Sequence, residues 1–149
     1  MKSMGLHVVR GEFLTGQRGI KIQIDDRDPR TGYKIVDFKV AFKFRNDINP
    51  ESCSAKIMTY EAPPSESSKW EWADSREVAW AYGFSDANTS VGADHHFTVV
   101  DPSNLLVEDV YLQGYSYADG EVFNYMIVFE KFELDPFDGP LTMVRNRSD

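Results

Sequence analysis

Strict alternation of apolar and polar side chains is the feature of this sequence that most constrains its fold. Within residues 37–45, the apolar side chains fall at every second position, at Phe38, Val40, Phe42 and Phe44. In a strand these four share one face, whereas a helix would distribute them around its circumference. The segment therefore predicts a half-buried antiparallel strand.

Seven further segments have the composition of strands and are separated by residues that favour turns. They are residues 6–14, 20–25, 55–60, 78–84, 95–100, 105–115 and 123–134. Asp, Asn, Gly, Pro and Ser are concentrated between them, as in all-β domains with short connections. The sequence predicts one domain over residues 1–149, an antiparallel β-sandwich, with a jelly roll of about eight strands as its default topology.

Two local features of this strand pattern are predicted as well. The turn-rich residues 26–32 lie between two alternating segments, which predicts that residues 20–25 and 37–45 form a hairpin. In the last strand, the apolar positions change phase after Phe129, which predicts a β-bulge near Glu130 and Lys131.

Residues 70–84 are compatible with two local structures. Asp74 followed by Glu77 has the spacing of a capping box that opens a helix. From Val78 to Phe84, however, large side chains alternate with Ala79, Ala81 and Gly83, which favours a strand. We favour the strand and keep a short helical turn at residues 73–77 as the alternative. Residues 61–69, with two adjacent prolines, predict a surface loop.

Charge and composition exclude several classes of function. The chain has 149 residues, with 16 basic and 24 acidic ones, and a formal net charge of −8. Since the basic residues form no stripe, we expect neither direct nucleic-acid binding nor attraction to an anionic membrane. No apolar run is long enough for a membrane helix, and no signal peptide is predicted. The single cysteine, Cys53, excludes an internal disulfide and is interpreted as a small core residue.

Catalytic motifs are absent from the sequence, which predicts neither an enzyme nor a cofactor. Nucleophile elbows, phosphate loops, His-Glu-x-x-His and Cys-x-x-Cys do not occur. Three clusters are candidate sites: Asp94, His95 and His96 for a transition metal; Asp25, Asp26 and Asp28 for calcium; Glu71, Asp74 and Glu77 for a glycosidase acid and base. Because neighbouring side chains of a strand point to opposite faces, the histidine cluster is interpreted as a surface loop that enters a strand. The aspartate cluster is interpreted as a solvated hairpin loop, and the third cluster as a chance grouping in so acidic a chain.

Four aromatic residues form the candidate interface or ligand-stacking site: Trp70, Trp72, Trp80 and Tyr82. Trp80 and Tyr82 lie in the alternating segment and are expected to be core residues. Trp70 and Trp72 lie between a Ser- and Pro-rich loop and acidic residues, so we expect at least one to be exposed. Exposed aromatic side chains serve as anchors in protein interfaces or as platforms on which sugar rings stack.

Two segments resemble the closing strands of small virion structural proteins. Residues 101–112 begin with an Asp-Pro turn that opens a strand, and residues 123–134 contain the pattern Asn-Tyr-x-Ile-x-x-Glu-Lys. The resemblance implies a β-sandwich repeated in a shell, tail or surface decoration, with copies of itself or other virion proteins as partners and the virion as its location. A basic arm that would bind a genome is missing, since Arg145 and Arg147 are too few.

The leading functional hypothesis is thus a structural subunit of a virus particle, a capsid, decoration or tail-associated protein that self-assembles through sandwich contacts. The alternative is a carbohydrate-binding module that uses its exposed tryptophans.

Overall fold

The computed structural model describes residues 2–43, 51–85, 94–116 and 120–135, and these residues form eight strands and one 3-10 turn. The strands are β1 (Lys2–Leu14), β2 (Ile20–Ile22), β3 (Thr31–Phe42), β4 (Glu51–Met58), β5 (Glu77–Ser85), β6 (Asp94–Val100), β7 (Val110–Ser116) and β8 (Val122–Glu133), and the 3-10 turn is Pro64–Glu66. The prediction of an all-β fold is confirmed. Within these ranges, no helix has the length and apolar character needed to cross a bilayer.

The strands form two antiparallel sheets that pack against each other. One sheet has the order β1-β8-β3, and the other has the order β2-β7-β4-β5-β6. In a jelly roll, a long hairpin is wound so that strand 1 pairs with 8, 2 with 7, 3 with 6 and 4 with 5. Three of these pairs are present. β6 pairs with β5 instead, although it lies beside β3, where the Thr98 hydroxyl donates a hydrogen bond of 2.6 Å to the Phe38 carbonyl.

The predicted β-sandwich is therefore confirmed, but the predicted hairpin between residues 20–25 and 37–45 is wrong. β2 pairs with β7 and β3 pairs with β8, so the two strands lie in different sheets. Asp109 holds the end of β2 on the five-stranded sheet, because its carboxylate accepts hydrogen bonds of 2.8 Å from the backbone N–H groups of Ile24 and Asp25. Turn composition predicted a change of chain direction correctly but could not specify the partner strand.

β3 has the face pattern that its alternation predicted. Phe38, Val40 and Phe42 are buried, while Lys39 between them is exposed. They pack with Phe123 and other buried residues of the neighbouring β8 in the single core between the sheets. The last two residues of the predicted strand, Phe44 and Arg45, lie outside the described residues, as do residues 46–50, 86–93 and 136–149.

β5 confirms the strand over the helix, but its small side chains, and not its aromatic ones, face the opposite sheet. A Cβ atom added to Gly83 would lie 2.6 Å from the carbonyl oxygen of Val40, closer than such atoms approach. Because the backbones approach so closely, only small residues can face inward at Ala79, Ala81 and Gly83. Trp80 is buried, as expected of a core residue, but its side chain lies on the outer face of β5 and not between the sheets. Tyr82 lies on the same outer face and is only half-buried, so the expectation that it is a core residue is wrong.

The bulge predicted in the last strand lies in its neighbours. β8 pairs without interruption, whereas β1 has an extra residue, Met4, opposite Lys131 and Phe132. β3 likewise has an extra residue, Val36, opposite Val128 and Phe129. The apolar phase of β8 changes because Phe132 lies on the outer side, where the Lys34 ammonium is 5.8 Å from its ring centroid.

Candidate functional site

Large apolar side chains that remain exposed to solvent mark the candidate site. Six of them belong to the three-stranded sheet (Met4, Leu6, Val8, Leu14, Val36 and Met126), and three lie on the outer side of the five-stranded sheet (Trp72, Phe97 and Tyr115). Contiguous exposed apolar patches on soluble proteins commonly mark interaction sites. The sandwich thus has an apolar outer surface on each of its two sheets.

The first of these surfaces, the aliphatic face, consists of Met4, Leu6, Val8, Met126 and Val128. The register places Val8 opposite Val128, and Arg10 opposite Met126. Leu6 is 69% exposed and Met126 is 43% exposed. Beside Met126 lies an open groove of about 630 Å³, lined by residues of all three strands, among them Arg10, Glu12, Lys39 and Asn124.

The second surface, the aromatic face, consists of Trp70, Trp72, Trp80, Tyr82, Phe97 and Tyr115. The strand register aligns four residues of this region: Tyr115 lies opposite Ser54, Ser54 opposite Tyr82, and Tyr82 opposite Phe97. They form one row across β7, β4, β5 and β6. Hydroxyl groups and aromatic rings therefore share the outer surface of this sheet.

The four aromatic residues predicted from the sequence are brought together on this aromatic face. Trp72 is 63% exposed, and its ring lies 5.8 Å from that of the buried Trp80. The ring of Trp70 stacks on Phe97 at a centroid distance of 6.3 Å and an interplanar angle of 15°. Phe97 and Tyr115 were missed because only the strand register, which the sequence does not reveal, places them beside the tryptophans.

Residues 59–76, the covering loop, hold the tryptophans against the sheet through a buried ion pair. Lys56 on β4 points outward yet is fully buried, and its ammonium group donates to the Glu77 carboxylate at 2.9 Å and to the Lys69 carbonyl at 2.7 Å. The other oxygen of Glu77 accepts hydrogen bonds from the Glu71 N–H at 2.9 Å and the Trp80 indole N–H at 3.0 Å. This ion pair therefore holds the two residues on either side of Trp70, and through Glu77 it also holds Trp80, against which Trp72 packs.

Gln113 attaches the first half of the covering loop to β7. Its side chain is fully buried, and its amide nitrogen donates to the Pro63 carbonyl at 2.7 Å. A loop with two prolines cannot pair as a strand, so side chains of the sheet satisfy its carbonyl groups instead. Lys56 and Gln113 are polar residues buried on an outer face because both bind carbonyl groups of the covering loop.

In the acidic cluster of Glu71, Asp74 and Glu77, two of the three carboxylates already bind cationic side chains of the protein. Its carboxylate oxygens lie within 4.8 Å of one another, a spacing that could hold a cation. Lys56 already neutralises Glu77, and the Arg76 guanidinium binds Asp74 at 3.0 Å. That hydrogen-bonded guanidinium lowers the pKa of Asp74. The alternative kept for residues 73–77, a short helical turn opened by a capping box, is wrong: residues 72–76 contain turns and no helix, and the Glu77 N–H donates to the Asp74 carbonyl.

The other two acidic or histidine clusters have local roles or lie partly outside the described residues. Asp25, Asp26 and Asp28 each accept a hydrogen bond from the backbone N–H two positions later, and Asp26 also binds Lys131 at 3.3 Å. They therefore stabilise their own loop. Of the histidine cluster, only the side chain of His96 is described, and it is exposed on β6.

No protein-family model matches the chain, and no curated protein matches it significantly.

The buried ion pair gives a direct test of how the aromatic face is built. We expect Lys56→Met to lower the free energy of unfolding by about 3–5 kcal/mol, because it leaves the Glu77 charge buried without its cation. Glu77→Gln should cost a similar amount, and the double variant should cost clearly less than the sum. Urea denaturation followed by circular dichroism measures all three.

The exposed pair of Lys39 and Asp37, with charges 3.6 Å apart, provides the matched control. Lys39→Met should change stability by less than about 1 kcal/mol. Additive effects of the two buried substitutions would contradict the pairing of Lys56 with Glu77.

Proposed function

We propose that this protein is a structural subunit of a virus particle and that it assembles with copies of itself through the aliphatic face. The observation that carries the proposal is the exposure of Leu6, Val8 and Met126 together on the outer side of one sheet. Burying such side chains in a contact between copies would remove apolar area from water at about 25 cal/mol per Å².

The position of the two apolar surfaces supports an assembly with more than one kind of contact. The aliphatic face and the aromatic face lie on the outer sides of opposing sheets, so both can be covered at once. A subunit with two different contact surfaces can build shells or filaments, whereas a single self-complementary surface closes into a dimer. The net charge of −8 keeps the unassembled subunit soluble.

Support for a virion in particular comes from the resemblance of residues 101–112 and 123–134 and from the three jelly-roll strand pairs. Asp101 forms the expected turn, since its carboxylate accepts hydrogen bonds from the N–H and the hydroxyl of Ser103. β8 contains residues 123–133 of the second resembling segment, β7 contains only residues 110–112 of the first, and the two strands lie in different sheets. The resemblance therefore concerns strands on both sides of the core.

A substitution on the central strand of the aliphatic face tests self-assembly. We expect the wild-type protein to form oligomers in sedimentation velocity and light scattering, and Met126→Glu to shift it to smaller species. The new carboxylate would have Arg10 and Lys39 on the paired strands, so the fold is retained, while an interface would have to desolvate the added charge.

Met126→Leu is the matched control, because it keeps the apolar surface and should keep the oligomers. A wild-type protein that stays monomeric at high concentration, or a Met126→Glu variant that assembles normally, would contradict the proposed function.

Carbohydrate binding is the second candidate function, and the exposed Trp72 beside the hydroxyl-bearing row on the aromatic face favours it. Sugar rings stack their C–H faces on indole rings while nearby hydroxyl groups bond their edges. If this candidate is correct, a neutral oligosaccharide from a mixed panel should quench tryptophan fluorescence, and Trp72→Ala should abolish the quenching. Leu14→Ala, on the other sheet, is the control. A panel without a single saturable response would remove this candidate.

A further inference from the structure

The four edge strands of the two sheets differ in length and in how many of their outward backbone groups have partners, and short edges offer few groups for pairing. β2 has only three residues. The outward backbone of β3 is satisfied by residues 98–106, since Tyr33 and Leu106 exchange two backbone hydrogen bonds of 2.7–2.8 Å and the Ile35 N–H donates to Asn104 at 3.0 Å. β6 has seven residues. β1, with 13 residues, is the longest edge, and it pairs with β8 alone among the described residues.

The hydrogen-bond phase of β1 follows from its end. The Thr15 N–H donates to the Glu121 carbonyl at 2.9 Å, directly after the pair of Leu14 with Val122. In an antiparallel pair, successive residues alternate between bonding to the partner and pointing away from it. From Gly5 to Leu14, where the register is regular, odd-numbered residues therefore bond to β8. The backbone N–H and C=O groups of Leu6, Val8, Arg10 and Glu12 point to the free edge.

Two of these even-numbered residues, Leu6 and Val8, carry side chains of the aliphatic face, whereas Arg10 and Glu12 are charged. Leu6 and Val8 are among the most exposed apolar residues of the described part of the chain, and Arg10 lines the groove beside Met126. At Leu6 and Val8, unpaired backbone groups and exposed apolar side chains thus occur on the same residues. Natural proteins normally blunt such an edge with charges, prolines or bulges. Here the bulge is at Met4 and the charges are at Arg10 and Glu12, so the apolar stretch of Leu6 and Val8 stays regular and open.

We propose that β1 pairs antiparallel with β1 of a second copy of this chain, so that two three-stranded sheets join into one six-stranded sheet. This proposal rests on the proposed function and adds a second contact to it, because pairing at the edge joins two copies side by side and leaves their outer aliphatic faces open for the contact between faces. The occupant is a second copy because its β1 brings the matching apolar pair: in a register centred on His7, the exposed Leu6 of each copy lies opposite the exposed Val8 of the other. Outward groups belong to even residues in both copies, so even residues must bond to even residues.

This parity has a consequence for the side chains. When even-numbered residues pair with even-numbered residues, the even-numbered side chains of both copies lie on the same side of the joined sheet. The two aliphatic faces therefore become continuous across the junction, with Leu6 and Val8 near its centre. A register that placed even-numbered residues of one copy opposite odd-numbered residues of the other would leave the outward backbone groups of both strands unpaired.

A proline at an outward-facing amide tests the strand pairing. Val8→Pro removes one N–H of the free edge and leaves the hydrogen bonds to β8 in place, and proline is tolerated where an edge N–H faces solvent. We expect this variant to fold, by circular dichroism and urea denaturation, and to weaken dimerisation at least about tenfold in sedimentation equilibrium. Val8→Thr, which keeps the amide and the β-branched shape, should dimerise with a much smaller loss.

Each other outcome overturns part of the account. If Val8→Pro dimerises like the wild type while Met126→Glu does not, copies pack by their faces without strand pairing, and only this inference fails. If the wild type is monomeric, the proposed function fails with it. If both Val8→Pro and Arg10→Pro fail to fold, the even amides do not point outward and the inference is wrong.

Discussion

The backbone hydrogen bonding of the three-stranded sheet is the constraint from which the functional account follows. β8 lies in the centre and is paired along both sides, and β3 is sealed at its outer edge by residues 98–106. Among the described residues, β1 receives backbone hydrogen bonds on one side only, from β8. Because every second residue of β1 presents both an open backbone and an exposed side chain, one strand combines the two requirements for joining a second sheet.

The five-stranded sheet is organised by a different constraint, the close approach of β5 to β3 at Gly83 and Val40. Small residues occupy the inner side of β5, so its aromatic residues are placed outward. That outer side is then covered by the loop of residues 59–76, which Lys56, Glu77 and Gln113 attach by buried hydrogen bonds. An exposed aromatic surface results because the loop buries Trp80 but leaves Trp72 in solvent.

Alternation in the sequence was sufficient to predict the strands, the sandwich and the buried side of β3, because period-two patterns report directly which side of a strand is buried. It could not predict that residues 20–25 and 37–45 belong to different sheets, since partner choice depends on distant groups such as Asp109. The four aromatic residues of the candidate site were found from composition alone. Trp80 is buried as predicted and Tyr82 is not. That both side chains point outward was not predicted, because the close packing at Gly83 leaves no signal in the sequence around them. The aliphatic face was missed, since single exposed residues such as Leu6 are common in strands.

Residue-resolved hydrogen exchange of the wild-type protein tests the central claim, assembly through the β1 edge, most directly. In a dilute, monomeric sample, the amides of Leu6, Val8, Arg10 and Glu12 should exchange fast, while those of His7, Val9 and Gly11 should be protected by β8. At concentrations where oligomers form, the account predicts that the even-numbered amides also become protected. If oligomers form and these four amides still exchange as fast as in the monomer, the edge of β1 is not where the copies join.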